Sequence, residues 1–144
     1  MKPKEILVFG ATGNIGRSLI RKFTKNNYKV VAVTRNIHQK GFQLKTQANP
    51  GYLELVELER LDEEKIRDLF NSCSVCINLI GILYEKNKGQ FNKIHSVLPN
   101  ILSKIAKEKK IDQFIHVSAL GVENASDSVY AKSKLDGEIN VKKN

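Results

Sequence analysis

Short apolar runs alternate with periodic polar stretches along the chain. Ile6-Leu7-Val8-Phe9 is a continuous apolar run with the β-branched and aromatic content of a buried strand. Apolar residues then recur at helical spacing, at Ile15, Leu19, Ile20 and Phe23, and predict a helix over 14–26 that stops at Asn26-Asn27. The same alternation predicts strands over 29–34, 52–58, 74–80 and 113–118. It predicts helices over 62–70, where Asp62 is the cap, over 90–109, and from Val129 onward. Residues 37–51 read as a polar excursion ending in the turn signal Asn49-Pro50-Gly51. Pro99 falls inside the helix predicted over 90–109 and is expected to interrupt or kink it.

Strands that alternate with helices form a parallel sheet covered on both faces. Right-handed crossovers then give an α/β, doubly wound, Rossmann-type sheet of order 3-2-1-4-5. Ligands in such sheets bind at the C-terminal strand ends, where the order reverses. The ends of strands 1, 2, 4 and 5 therefore hold the candidate chemistry.

Strand 1 runs directly into Gly10-Ala11-Thr12-Gly13-Asn14-Ile15-Gly16 and then a helix. In a dinucleotide site the first glycine makes the turn, the second admits bare backbone to a pyrophosphate, and the third lets helix and strand pack closely. Free N–H groups at the helix start then face the phosphates. An ordinary tight turn is the alternative, and the flanking strand and helix favour the nucleotide site. Strand 2 ends at Thr34-Arg35 with no carboxylate for a ribose 2′-hydroxyl. Arg35 is suited to a 2′-phosphate, so NADP is favoured over NAD. Arg17 is a second cation near the turn, and Glu59 is the acidic candidate for the adenine amino group.

After strand 5 come Ser118 and then Tyr130-Ala131-Lys132-Ser133-Lys134. Tyr130 and Lys134, four apart, share one helix face. A lysine ammonium near a tyrosine hydroxyl favours the phenolate and tunes it for acid–base work on a carbonyl or alcohol.

With these motifs the chain resembles the short-chain dehydrogenase/reductase superfamily, in its extended and atypical branch. Gly10 to Gly16 matches the glycine motif, and Ser118, Tyr130 and Lys134 match the catalytic positions. Leu79, Ile80 and Gly81, after Asn78, match the strand-4 loop that lines the cofactor, which Tyr130 and Lys134 also touch. Within that branch the chain is most similar to the nucleotide-binding accessory subunits of respiratory complex I and their bacterial relatives. Three stretches carry this likeness: 78–85, 114–121 and 128–138. The resemblance implies tightly held NADP(H), often structural, and a tie to quinone or respiratory metabolism. It implies a respiratory-chain or membrane-associated complex as a partner.

Only 11 residues separate Ser118 from Tyr130, fewer than in sugar-nucleotide epimerases. The chain also ends at Asn144, inside the last predicted helix. The expectation is an incomplete NAD(P)-binding domain over 1–144, without the family's later strands or its C-terminal substrate domain, that binds without turnover. For the parent protein, oxidoreductase chemistry and structural or assembly binding both stay open. So do an epimerase/dehydratase-like activity and a redox-sensing role.

Composition narrows this little. With 41% apolar and 27% charged residues, the chain is an ordinary globular domain with no run long enough to span a membrane. The first residues are read as leading straight into strand 1, so no signal or transit peptide is expected. The expected location is cytoplasmic, or peripheral on the inner face of an energy-transducing membrane. The net charge of +9 comes from scattered lysines without interleaved aromatics, which argues against nucleic acid as a partner. Cys76 reads as a strand residue and Cys73 as the residue just before that strand, rather than as a redox pair, and no metal site is expected. His95 reads as a packing or surface residue of its helix, and His116 as a strand-face histidine.

Overall fold

The computed structural model describes residues 5–125 and 127–144. Residues 1–4, the expected lead-in to the first strand, lie outside the described residues. Five parallel strands, β1 (Glu5–Phe9), β2 (Lys29–Thr34), β3 (Leu53–Glu57), β4 (Cys73–Asn78) and β5 (Gln113–His116), form one sheet of order β3-β2-β1-β4-β5. This is the doubly wound order expected from the sequence.

Strand alternation divides the core in two. On one face, Leu7, Phe9, Val31, Val33 and Cys76 pack against residues of α3 (Glu63–Leu69) and α5 (Leu98–Glu108), including Ile66, Leu102 and Ile105. On the other, Ile6, Val8, Val30, Ala32 and Ile77 pack against Ile20 of α1 (Asn14–Lys25) and Leu44 of α2 (Phe42–Lys45). Each fully buried aliphatic or Phe side chain contributes about 1.5–3 kcal/mol.

Local signals fix several element ends. Asp62 caps α3 by accepting from the Glu64 and Lys65 N–H groups, and Ser128 caps α6 (Val129–Lys143) through the Ala131 N–H. Asn26 closes α1, and Asn27 takes the left-handed conformation (φ 63°) that asparagine tolerates.

Three expectations need correction. The polar excursion contains a π-helical turn, Ile37–Gly41, followed by α2. Asn36 starts it by accepting from Gln39 N–H, and Leu44 anchors it in the core. Strand 4 ends at Asn78 rather than residue 80, because the Asn78 side chain turns back and accepts from Ile80 N–H. Strand 5 ends at His116, although Val117 N–H still donates to Asn78 O.

The fourth helix departs from α geometry at a definite place. It runs as α4 (Gln90–Asn92), a π-helical turn (Lys93–Val97) and α5. Pro99 lies just beyond that turn. Its ring excludes the carbonyl four residues back, that of His95, from an α-type bond. One extra residue in the turn accommodates it, with Leu98 N–H donating to Lys93 O.

Candidate functional site

The strand register places the site before any side chain is considered. Phe9 pairs with Val33 on one side and Asn78 on the other, and Asn78 pairs with His116. The C-terminal ends of β2, β1, β4 and β5 therefore form one row, and the glycine turn leaves its middle.

Gly10 has φ 79°, and a Cβ there would lie 2.8 Å from Leu79 C and 2.9 Å from Ile80 N. Only glycine meets both demands. At Gly16 a Cβ would stand 2.5 Å from Ala11 O, so α1 is pressed onto the turn. Gly13 differs: the nearest atom is Gly10 O at 3.7 Å, and the residue is exposed. Gly13 is also the N-cap of α1, with no side chain capping the helix and no acidic residue in the first turn. The first N–H groups of this 12-residue helix therefore have no side-chain acceptor, an end that favours negative charge. The turn therefore presents bare backbone and uncapped N–H groups on its open side.

Arg35 and Glu59 follow β2 and β3 on the β2 side of the turn, and both are exposed. Leu58 N–H donates to Thr34 O, so the two segments run together to that edge. Glu57, not Glu59, is engaged there: its carboxylate accepts from Ile37 N–H. Beside the turn, Asn14, Arg17, Ser18, Arg21 and Gln47 line an open groove of about 350 Å³. Arg17 Nη2 donates to Asn14 Oδ1, whereas its buried Nε has no partner.

On the β4–β5 side the site is buried. A Cβ on Gly81 would lie 3.7 Å from both His95 Nε2 and Lys134 Nζ, so the loop after β4 meets α6 here. Lys134 is only 5% exposed, and its amine donates to Val117 O at 3.4 Å. Burial lowers its pKa, and Glu138 opposes that shift. Ser118 Oγ, one residue on from that carbonyl, is buried without a partner. Tyr130 packs edge-on against the rings of His95 and Phe91, at centroid distances of 5.3 and 5.7 Å. The structure thus brings Gly10, Leu79, Ile80, Gly81, Lys134 and Tyr130 into one chain of neighbours. Arg35 and Glu59 stand on the other side of the turn.

His95 and His116 make hydrogen bonds that the sequence pattern did not reveal. His116 Nδ1 accepts from Asn78 Nδ2, since Asn78 Oδ1 is already bonded to Ile80 N–H. Its proton therefore sits on Nε2, which is buried without a partner. His95, expected as a packing or surface residue, is 1% exposed and hydrogen-bonded at both ring nitrogens. Asparagine at the end of a buried strand, and histidine four residues before a helix proline, were the available signals.

The cysteines are free thiols, Cys76 in the core and Cys73 partly buried. Burial pushes the Cys73 thiol up to about 12 and raises that of Cys76 as well, so neither is activated. Among the described residues no group of three or more His, Cys, Asp or Glu is arranged to hold a metal ion, and no helix is long and apolar enough to cross a membrane.

The chain matches the model of the NmrA-like family over residues 2–143. It is 30% identical over 135 residues to mitochondrial NADH dehydrogenase (ubiquinone) 1 alpha subcomplex subunit 9 of Mus musculus, covering 94% of this chain and 36% of that protein. It is 31% identical over 132 residues to the Arabidopsis thaliana protein of that name, covering 91% and 33%. The chain therefore spans about a third of the length of these relatives. Among solved structures, Bordetella bronchiseptica WbmG in complex with NAD and UDP superposes with a TM-score of 0.78 at 14% identity, over 95% of this chain and 48% of that one. A putative NAD-dependent epimerase/dehydratase from Bacillus halodurans does so with a TM-score of 0.77 at 20% identity, over 96% and 64%. These likenesses establish the fold, and together with the sequence relatives they bear out the resemblance drawn from the glycine, serine and tyrosine–lysine motifs.

Proposed function

The chain belongs to the NmrA-like family, and from that premise we propose that it is a dinucleotide-binding domain that takes NADP(H) in preference to NAD(H). The observation that carries the dinucleotide site is the contrast among three glycines, and the preference for NADP(H) rests on Arg35 at the end of β2. Gly10 and Gly16 are filled by packing, while Gly13 is open at an uncapped helix start. Gly10, Ala11, Thr12, Gly13, Asn14, Ile15 and Gly16 would cradle the pyrophosphate, and Leu79, Ile80 and Gly81 the far half of the cofactor. Arg35 would take the 2′-phosphate, and Arg17, close to the turn, would add positive charge. Glu59 is left for the adenine amino group. The relatives named as subunits of NADH dehydrogenase suggest that the domain serves as an accessory part of a respiratory, membrane-associated assembly.

A second reading adds redox chemistry, and it rests on the buried, unpartnered Ser118 Oγ beside the carbonyl that holds Lys134. A reduced nicotinamide would supply a hydride to a carbonyl carbon. Tyr130 would give its proton to the carbonyl oxygen, Ser118 would hold that oxygen, and Lys134 would favour the phenolate left behind. The first reading needs none of these steps.

The test is to express the chain, release its small molecules by denaturation, and identify the nucleotide. Recovered or tightly rebinding NADP(H), with no oxidation of NADPH by carbonyl or quinone acceptors, supports structural binding. Turnover lost in Tyr130→Phe would establish the second reading. A folded sample with no affinity for either dinucleotide would sink both.

A further inference from the structure

His95 joins three elements that are distant in sequence. Ile82 N–H, in the loop after β4, donates to His95 Nε2 at 3.0 Å. That nitrogen must carry the lone pair, so the proton of the neutral ring sits on Nδ1. Nδ1–H then donates to Ser133 Oγ at 2.9 Å, and Ser133 Oγ–H donates to the Tyr130 carbonyl at 2.7 Å. The relay runs from the backbone of the Gly81–Ile82 loop to the backbone of Tyr130. Its direction is fixed, because each atom has one role.

Ring packing holds the relay in place. Phe91 stacks on the imidazole at 5.5 Å and 16°, and Tyr130 meets it edge-on at 86°. The backbone of His95 contributes as well. Its carbonyl lies where a Cβ on Gly137 would come within 1.9 Å, so α6 lies directly against the π-helical turn. Three neighbouring ionisable groups act on this region. Lys134 and His116 both disfavour a charge on His95, while Glu138 opposes the lowering of His116 and Lys134.

We propose that His95 is a positioning residue that, as a neutral Nδ1–H tautomer, locks the Gly81–Ile82 loop and Tyr130 into one frame around the nicotinamide half of the bound cofactor. This rests on the dinucleotide reading above. Protonation of Nε2 would set two donors face to face at Ile82 and break the relay, which burial resists.

Affinities for NADPH and for 2′,5′-ADP, which has no nicotinamide, separate this role from general stabilisation. His95→Phe keeps a ring and removes both hydrogen bonds. It is expected to weaken NADPH about tenfold and leave 2′,5′-ADP unchanged. Ser133→Ala, which cuts the relay below the ring, is expected to change NADPH in the same direction by a smaller factor. His95→Gln, with an acceptor and a donor, is expected to recover most of the loss. Equal affinities for NADPH in wild type and His95→Phe would overturn the proposal and leave the dinucleotide reading standing. Equal loss of both ligands would overturn it too, as a merely structural effect. A folded wild type that binds neither ligand would overturn both readings. If His95→Phe does not fold, ¹⁵N imidazole shifts of the wild type decide: a proton on Nε2 of His95 at neutral pH would refute the relay.

Discussion

On the β2 side of the glycine turn, Arg35 and Glu59 stand exposed, and the turn itself is shaped by bare backbone. On the β5 side, His95 and Lys134 are nearly inaccessible, and polar groups from β4, β5, the π-helical turn and α6 meet inside the protein. The first region is shaped mainly by local glycine conformation, with the loop after β4 pressed against Gly10 alone. The second exists only after long-range packing, since His95 and Ser133 are 38 residues apart in the chain. Substitutions on the two sides should therefore fail in different ways: binding alone on the first, stability as well as binding on the second.

The largest expected effect is at Gly137. A methyl group there would meet His95 O at 1.9 Å, and neither backbone can yield alone. Gly137→Ala should destabilise the fold by about 3 kcal/mol. Gly13→Ala, where a Cβ has ordinary room, should change stability by about 0.5 kcal/mol or less while weakening dinucleotide binding. Urea denaturation with NADPH titration measures both. Similar stability losses at the two glycines would erase the contrast.

This asymmetry explains what could be read in the chain. The sheet order follows from alternating apolar runs, and the turn follows from glycines spaced after a strand, both of which are local patterns. His95 had no local pattern to reveal it. Its helix position looked like packing, and its partners, Ile82 and Ser133, lie in other elements. The π-helical turn was half legible, since Pro99 predicted a break but not the inserted residue that turns the His95 carbonyl towards α6. Strand 4 ran two residues too far in the apolar pattern because Leu79 and Ile80 continue it, whereas the Asn78 side chain ends the strand.

Acid should strike the buried side next. Burial, together with Lys134 and His116, holds the His95 pKa down at about 4. In the unfolded chain a histidine titrates near 6.5. Between these values the unfolded state binds the extra proton, so stability is complete above the upper value and falls as pH drops through the window. The loss is about 3 kcal/mol if His95 titrates freely on unfolding. His116, lowered by burial and Lys134, acts in the same direction. Denaturation curves at pH 5 and 7.5 should differ less in His95→Phe than in wild type. An identical pH dependence would remove His95 from the account.

On the exposed side, Arg35→Asp should weaken NADP roughly tenfold to a hundredfold more than NAD, as expected for losing one charge-assisted contact and gaining a repulsion. Equal losses, measured by calorimetry with each dinucleotide, would place the 2′-phosphate elsewhere, with the Arg17 groove the next candidate.

Tyr130→Phe should have the smallest effect on binding, and it tests where the two regions meet. The ring contacts with His95 and Phe91 are made by carbon faces and edges that phenylalanine keeps. Ser133 reaches the backbone carbonyl of residue 130, not its side chain. Removing the hydroxyl therefore leaves both the relay and the proposed cofactor cradle intact, and NADPH affinity should change by about threefold or less. A large loss would mean that the hydroxyl itself holds the cofactor. Unchanged binding with abolished turnover would separate chemistry from assembly at a single oxygen atom.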